Sequence, residues 1–373
     1  MFAILALSLA SAGCRQGPWT LWQSYSARFV DDQGRVIDPQ RNQTTSQGQA
    51  YALFFALVAN DRPRFDRILE WTNYNLALGD LGARLPARLC GKAANGAWKT
   101  LDASSAADAD VWIAYTLIEA GRLWSEPGYA ALGHKLMGQI AAQEVADLPG
   151  LGPMLLPGPV GFAHKGSWTL NPSYLPLFVF ERLASVDATG PWQGIAEGIP
   201  RLIRESARKG YAMDWADFVP GDGFAAGAQP SDLSVSLMGR NDSIRVYLWA
   251  GMLDGNDAAR AEILNSLPSM GDYLASHDAP PASVSGNGIP SETPGSAGSS
   301  AAVLPYLRAM PNAGKVLVKQ LMRFREQRDP ATGMYGKNVA YEDQNLALFA
   351  TGFLDNRFRF GPRGELIVGW NRR

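Results

Sequence analysis

The feature that most constrains this chain is an alternation between two kinds of helical segment. Tyr51, Phe54, Phe55 and Val58 fall at i, i+3, i+4 and i+7, and Val111, Ala114, Tyr115 and Ile118 repeat that spacing. Helical patterns of this sort occupy residues 18–30, 46–59, 62–77, 107–124, 127–145, 173–187, 192–209, 241–254, 257–277, 299–310, 313–326 and 341–355, about twelve in all, with no run of alternating strand pattern. Segments 46–59, 107–124, 173–187, 241–254, 299–310 and 341–355 are apolar nearly all round, whereas those between them, such as RPRFDRILEWTNYNL, carry a charged face. A helix apolar on every side is buried, and an amphipathic one lies outside it. Six buried helices, each paired with an outer one, predict an all-α fold, an (α/α)6 barrel with six inner and six outer helices; a two-domain helical bundle would give similar counts.

The composition narrows the function classes. Apolar residues make up 46% of the 373 and charged residues 18%, so the chain is globular, and a net charge of −1 supplies no electrostatic footprint for nucleic acid or an anionic membrane surface. Residues 1–14, MFAILALSLASAGC, read as a signal-like segment too short to span a bilayer, which points to a periplasmic or secreted protein whose single domain covers 17–373. Cleavage is favoured over lipidation of Cys14, and its loss would leave Cys90 unable to form a disulfide. His134, His164 and His277 lack ligand spacing, so no metal and no cofactor are expected. The long connections 78–106, 146–172, 210–240 and 279–298 read as functional or mobile loops, the last a floppy surface one.

Three polar groups stand at the beginnings of apolar helices: Thr44-Thr45-Ser46-Gln47, Asp108-Ala109-Asp110 and Asn241-Asp242-Ser243. Singly, each is explained by helix capping, for which these residue types are preferred. In a barrel with parallel inner helices, all three share one rim and converge on one cleft. Glycoside hydrolysis needs one protonated and one ionised carboxyl flanking the scissile bond. A helix N-terminus favours the ionised form, which suits Asp242 as a base; a proton donor there would need a nearby negative charge such as Asp108. Position 47 offers a glutamine, which hydrogen-bonds but does not usefully give up a proton.

At these residues the chain resembles glycoside hydrolase family 8, and within it the periplasmic endoglucanases encoded with bacterial cellulose synthase. The resemblance covers about residues 17–370 and rests on RVIDP (35–39), TTSQGQAYALFFALVANDR (44–62), SAADADVWIAYTLIEAGRLW (105–124), WTLNPSYLP (168–176), YAMDW (211–215), NDSIRVYLWAGM (241–252) and RFRFGPRGEL (357–366). It implies an (α/α)6 barrel and inverting hydrolysis of internal β-1,4-glucosidic bonds. The implied partners are β-1,4-glucan, as cellulose or cello-oligosaccharide, and the cellulose synthase complex. The family's general acid is a glutamate at the position of Gln47, its base matches Asp242, and its sugar-binding aspartate matches Asp108. Gln47 reads either as an acid replaced to trap a substrate, the favoured reading, or as the state of a natural copy without activity.

The other candidates each have a bland counterpart. Arg245, one helical turn from Asp242, orients the base or binds a sugar hydroxyl, or else forms a structural ion pair. Tyr174 holds water or a sugar hydroxyl, or merely packs in the rim. Trp98, Trp112 and Trp168 are candidate stacking platforms, with Trp112 equally suited to the core, and Tyr341 opens the last inner helix on the same rim. Asp110 reads as a cap of its own helix, and Asp214-Trp215 as a pair near the cleft. An inverting arrangement predicts about 6.5–9.5 Å between the functional groups of residues 47 and 242. The competing readings are a non-catalytic glucan-binding component of the synthesis machinery, and the same fold acting on chitosan or xylan.

Overall fold

A computed structural model describes residues 17–227 and 242–371. Among them, thirteen α-helices account for the expected twelve segments. The inner set is α2 (Ser46–Val58), α4 (Ala107–Leu123), α6 (Leu177–Val186), α8 (Ile244–Met252), α11 (Ala297–Ala309) and α13 (Tyr341–Leu354). Around them stand α1 (Thr20–Phe29), α3 (Arg62–Leu76), α5 (Pro127–Gln143), α7 (Trp192–Ser206), the pair α9 (Arg260–Asn265) and α10 (Pro268–Ser276), and α12 (Gly314–Glu326). The fold is the (α/α)6 barrel. One expected segment, 257–277, is broken at Leu267, because Pro268 cannot continue a helix through its missing N–H and disfavours helical geometry in the residue before it.

Burial follows the two sequence patterns. In α2 every residue from Gly48 to Val58 is buried, and in α4 every residue from Ala107 to Gly121; in α12 only Gln320 and Phe324 are. The barrel interior is aromatic. Trp112 lies 5.0 Å from Phe54, 5.2 Å from Phe349 and 5.4 Å from Trp249, ring centroid to ring centroid. It is 1% exposed, so it belongs to the core and is not a stacking platform. Its neighbours on every side are other inner helices, which leaves no ring face for a sugar.

A hairpin of β10 (Phe358–Phe360) and β11 (Leu366–Val368) closes the end of the barrel away from the inner-helix N-termini. Phe360 stacks on Phe178 at 3.7 Å, and the buried Glu119 carboxylate ties the hairpin to α4 and α6, accepting from Leu366 N–H at 2.7 Å and pairing with Arg182 at 2.6 Å and with Arg122.

The absence of strands expected from the sequence is not what the structure shows. The long connections fold into short antiparallel ladders: β1 (Gln43–Thr45), β2 (Leu89–Lys92) and β3 (Trp98–Asp102) in one sheet, β4 (Val145–Leu148) with β5 (Gly152–Leu155), and β6 (Ala163–His164), β7 (Ser167–Leu170), β8 (Ala216–Val219) and β9 (Gly223–Ala226) in another. Strands of two to five residues are too short for alternation to stand out. Their local signal is turn chemistry: Asn95-Gly96, with Gly96 at φ +79°, is a strong hairpin dipeptide. The 279–298 connection likewise folds back on itself, with Ala282 N–H on Thr293 O at 2.8 Å and Ser291 N–H on Ser283 O at 2.9 Å, and is not the floppy loop its Gly, Pro and Ser content suggests. The signal-like segment with Cys14, and Asn241, lie outside the described residues; Cys90 is buried in β2.

Candidate active site

The N-termini of five of the six inner helices open on one cleft. Its lining includes Thr45, Ser46, Gln47 and Tyr51 of the α2 region, Asp108 of α4, Tyr174 before α6, Asp242 and Arg245 at α8, and Tyr341 and Asn345 of α13. The cleft is open to solvent along one side, and its lining draws on elements from residue 36 to residue 346. The convergence of three polar groups on one rim is therefore met for Gln47, Asp108 and Asp242.

Capping explains only one of them. Thr45 caps α2, its side chain accepting from Gly48 N–H at 3.0 Å. Gly48 itself is required by close approach, since a Cβ there would fall 2.1 Å from the Tyr341 hydroxyl. Neither Asp108 nor Asp110 is the N-cap of α4, which is Ala106, without a side-chain bond. The expectation that Asp110 caps its own helix fails because it sits a full turn in, facing Glu144 at the end of α5.

Asp110 and Glu144 are buried together, with Ser105 Oγ donating to Glu144 Oε1 at 2.5 Å. Burial pushes the Glu144 carboxyl up to about 7, and burial together with Glu144 raises Asp110 well above the usual range, so both favour the neutral form more than free carboxyls do. Both bind protons more tightly folded than unfolded. The stabilising effect of Glu144 is complete below the unfolded carboxyl range near pH 4 and disappears as pH rises through about 7. The melting temperature is expected to fall by several degrees, as an order of magnitude, between pH 5 and pH 8. Calorimetry of Glu144→Gln should show a flatter decline, and a decline of unchanged slope would remove the pair as its source.

The cleft carboxylates are held differently. Asp242 is 4% exposed; Arg245 Nη2 lies 3.0 Å from its Oδ1, and Asn171 Nδ2 donates to its Oδ2 at 3.2 Å. Asp108 accepts from the Gln47 amide, and its Oδ2 lies 4.0 Å from Arg245. Burial, reinforced by Asp242, pushes the Asp108 carboxyl up to about 6 against the pull of Arg245, Gln47 and the Ala109 N–H. Arg245 also donates to Ser173 Oγ at 2.9 Å, with its guanidinium 5.8 Å from the Tyr174 ring centre. Burial raises the Tyr174 hydroxyl far above its ordinary range, so it stays protonated at neutral pH. The arrangement is chemically a pair of polar stations, residue 47 with Asp108 and residue 242 with Arg245, on one solvent-open groove.

Two aromatic candidates lie elsewhere. Trp98, 39% exposed on β3, has the Arg35 guanidinium 3.4 Å from its ring centre, and Trp168 on β7 packs against Phe218; neither lines the cleft. Residues overlooked in the sequence include Tyr51, Arg88 and Asn345 of the lining, and Asn171 and Ser173 behind Asp242. Asn171 and Ser173 stood within the WTLNPSYLP motif, and an Asn ahead of Pro signals a turn or cap and not a site. Asp214, as expected, lies beside the cleft: it accepts from Ser243 N–H at 2.7 Å, and burial and Asp242 push it up to about 6.

A helical barrel with two carboxyl groups and an arginine on its open rim has the groups that glycoside cleavage needs, and comparison with known proteins identifies the family. The pattern of glycosyl hydrolases family 8 matches residues 1–320, and the chain belongs to that family. It is 44% identical to an endoglucanase of Xanthomonas axonopodis pv. citri (strain 306) over 99% of this chain and 94% of that one. It is 40% identical to an endoglucanase of Escherichia coli (strain K12) over 99% of this chain and 95% of that one. Among solved structures, endo-1,4-D-glucanase from Vibrio fischeri ES114 superposes with a TM-score of 0.84 at 35% identity, covering 95% of this chain and all of that one.

Proposed function

We propose that this chain is an endo-β-1,4-glucanase of the inverting kind, acting on cellulose-like chains, in which Gln47 occupies the general-acid position and leaves hydrolysis severely impaired. The observation that carries the reading is the cleft that joins Gln47 and Asp108 to Asp242 and Arg245. Support comes from the family and from relatives named endoglucanases. In the reaction, a glutamate at position 47 protonates the leaving glycosidic oxygen, and Asp242 takes a proton from the water that attacks the opposite face of the sugar. Asp108 binds the sugar at the cleavage point, and Tyr174 offers a neutral hydroxyl to water or sugar. Trp98, with the Arg35 guanidinium and the Lys92 ammonium near its ring, and Trp168 are candidate stacking platforms outside the cleft lining, and Tyr341 lies in it.

The signal-like segment supports export to the periplasm, and the motifs shared with the endoglucanases encoded beside cellulose synthase support a role on nascent or misplaced cellulose, with the synthase complex as partner. Gln47 itself favours a second reading, a non-catalytic glucan-binding component of that machinery.

The reading is tested with cellopentaose. The chain as it stands should bind it with little turnover, and Trp98→Ala should weaken binding modestly, by about 0.5–1.5 kcal/mol. Proton NMR of the Gln47→Glu form should show the α-anomer of the new reducing end first. A β-anomer appearing first would mean retention and would rule out the inverting assignment.

A further inference from the structure

Asn171 is buried at 1% exposure immediately ahead of the short 3-10 turn Pro172–Tyr174, and its side chain does two separable things. The oxygen Oδ1 accepts from Ser173 N–H at 3.0 Å and from Ser173 Oγ at 2.7 Å. Both partners are donors, so the amide orientation is determined: the oxygen faces Ser173, and Nδ2 faces Asp242 Oδ2 at 3.2 Å. Because the Ser173 hydroxyl proton is committed to Asn171, its oxygen accepts from Arg245 Nη2 at 2.9 Å. That same nitrogen reaches Asp242 Oδ1 at 3.0 Å. The ring of bonds is directional: Arg245 donates to Ser173, Ser173 to Asn171, Asn171 to Asp242, and Arg245 again to Asp242. Asp242 accepts at both oxygens, from Asn171 at one and from Arg245 at the other, and every member of the ring has its partner.

We propose that Asn171 is a positioning residue for the base, acting through its amide N–H₂ to hold one Asp242 oxygen while Arg245 holds the other. Capping the 3-10 turn requires only Oδ1; the bond from Nδ2 serves no structural end of that turn. The inference rests on the reading of Asp242 as the base. Other ionisable groups also act on Asp242: Asp108 from α4, Asp214 from the loop before β8, Tyr51 from α2 and Tyr174 from the 3-10 turn, with Arg245 on its own helix. Four of these are carboxyl or phenol groups whose ionisation would oppose that of Asp242 at close range, and the neutral amide of Asn171 opposes nothing.

The test is Asn171→Asp in the full chain carrying Gln47→Glu. Aspartate caps the turn as asparagine does, while the donor to Asp242 becomes a second carboxyl that opposes its charge; melting curves establish that the variant is folded. The kcat on cellopentaose is expected to fall about ten- to a hundredfold, the size of a lost hydrogen bond to a charged group, with KM changed little. The acid limb of kcat/KM should move up by roughly one pH unit through the added like charge. Asn171→Ser, which keeps a capping hydroxyl and adds no charge, should lose kcat comparably with a smaller move of the limb, and is decisive if the aspartate variant does not fold. Unchanged kcat and an unmoved acid limb in a folded variant would overturn the proposal. Asp242→Asn in the same background separates the two layers: full activity there would dismiss Asp242 as the base, and with it any role for Asn171 in positioning one.

Discussion

Replacing Gln47 with glutamate is expected to raise release of reducing ends from carboxymethylcellulose by about 10²–10⁴-fold, the usual contribution of a general acid. The site is prepared for such a group. In this chain the Gln47 amide donates to Asp108, whose carboxyl burial already pushes up to about 6. A glutamate at that position would meet the same carboxyl as a like charge, and two acids in hydrogen-bond contact hold one proton between them. The proton is thereby kept available near neutral pH for the glycosidic oxygen. An amide has the shape for this place and can hydrogen-bond the same oxygen, but transfers nothing. The comparison is made on the two forms side by side, with melting curves as the control. Equal inertness of two folded proteins would refute the acid assignment and turn the balance toward a glucan-binding role.

Substitution of Trp112 by alanine is expected to cost about 3–5 kcal/mol of unfolding free energy, read from denaturant titration. The indole is 1% exposed and sits among Phe54, Phe349 and Trp249, with Tyr51, Tyr115 and Phe178 around them. Removing it leaves a cavity that rigid inner helices cannot collapse, in addition to the lost transfer free energy. Trp98→Ala, at a site 39% exposed, should remain within about 0.5 kcal/mol of the parent stability. A Trp112→Ala protein of near-parental stability that had lost oligosaccharide binding would instead restore Trp112 as a sugar platform.

The same tryptophan shows where sequence reasoning reaches its limit. Its place on an all-apolar helix was plain from the 3.6-residue period, but a ring inside a barrel and a ring lining its mouth differ only by about a turn of helix, and periodicity does not distinguish them. Asp110 is similar. As an acid near a helix start it looks like a cap, and only the approach of Glu144 from the end of α5 turns it into half of a buried acid pair. The short strands were missed because a ladder of two to five residues owes its existence to its partner's register and to turns such as Asn95-Gly96, not to a pattern of its own.

By itself the sequence determined the helix count to within one break, the division into inner and outer sets, and the rim on which Gln47, Asp108 and Asp242 stand. Those properties follow from local periodicity and from the parallel run of the buried helices, which are recorded residue by residue along the chain. Tertiary structure alone decided the ring of bonds from Arg245 through Ser173 and Asn171 to Asp242, the contact of Gln47 with Asp108, and the burial of Trp112. These depend on side chains 61 residues apart for Gln47 and Asp108, 71 for Asn171 and Asp242, and further for Trp112 and Phe349, and no local pattern encodes such a meeting.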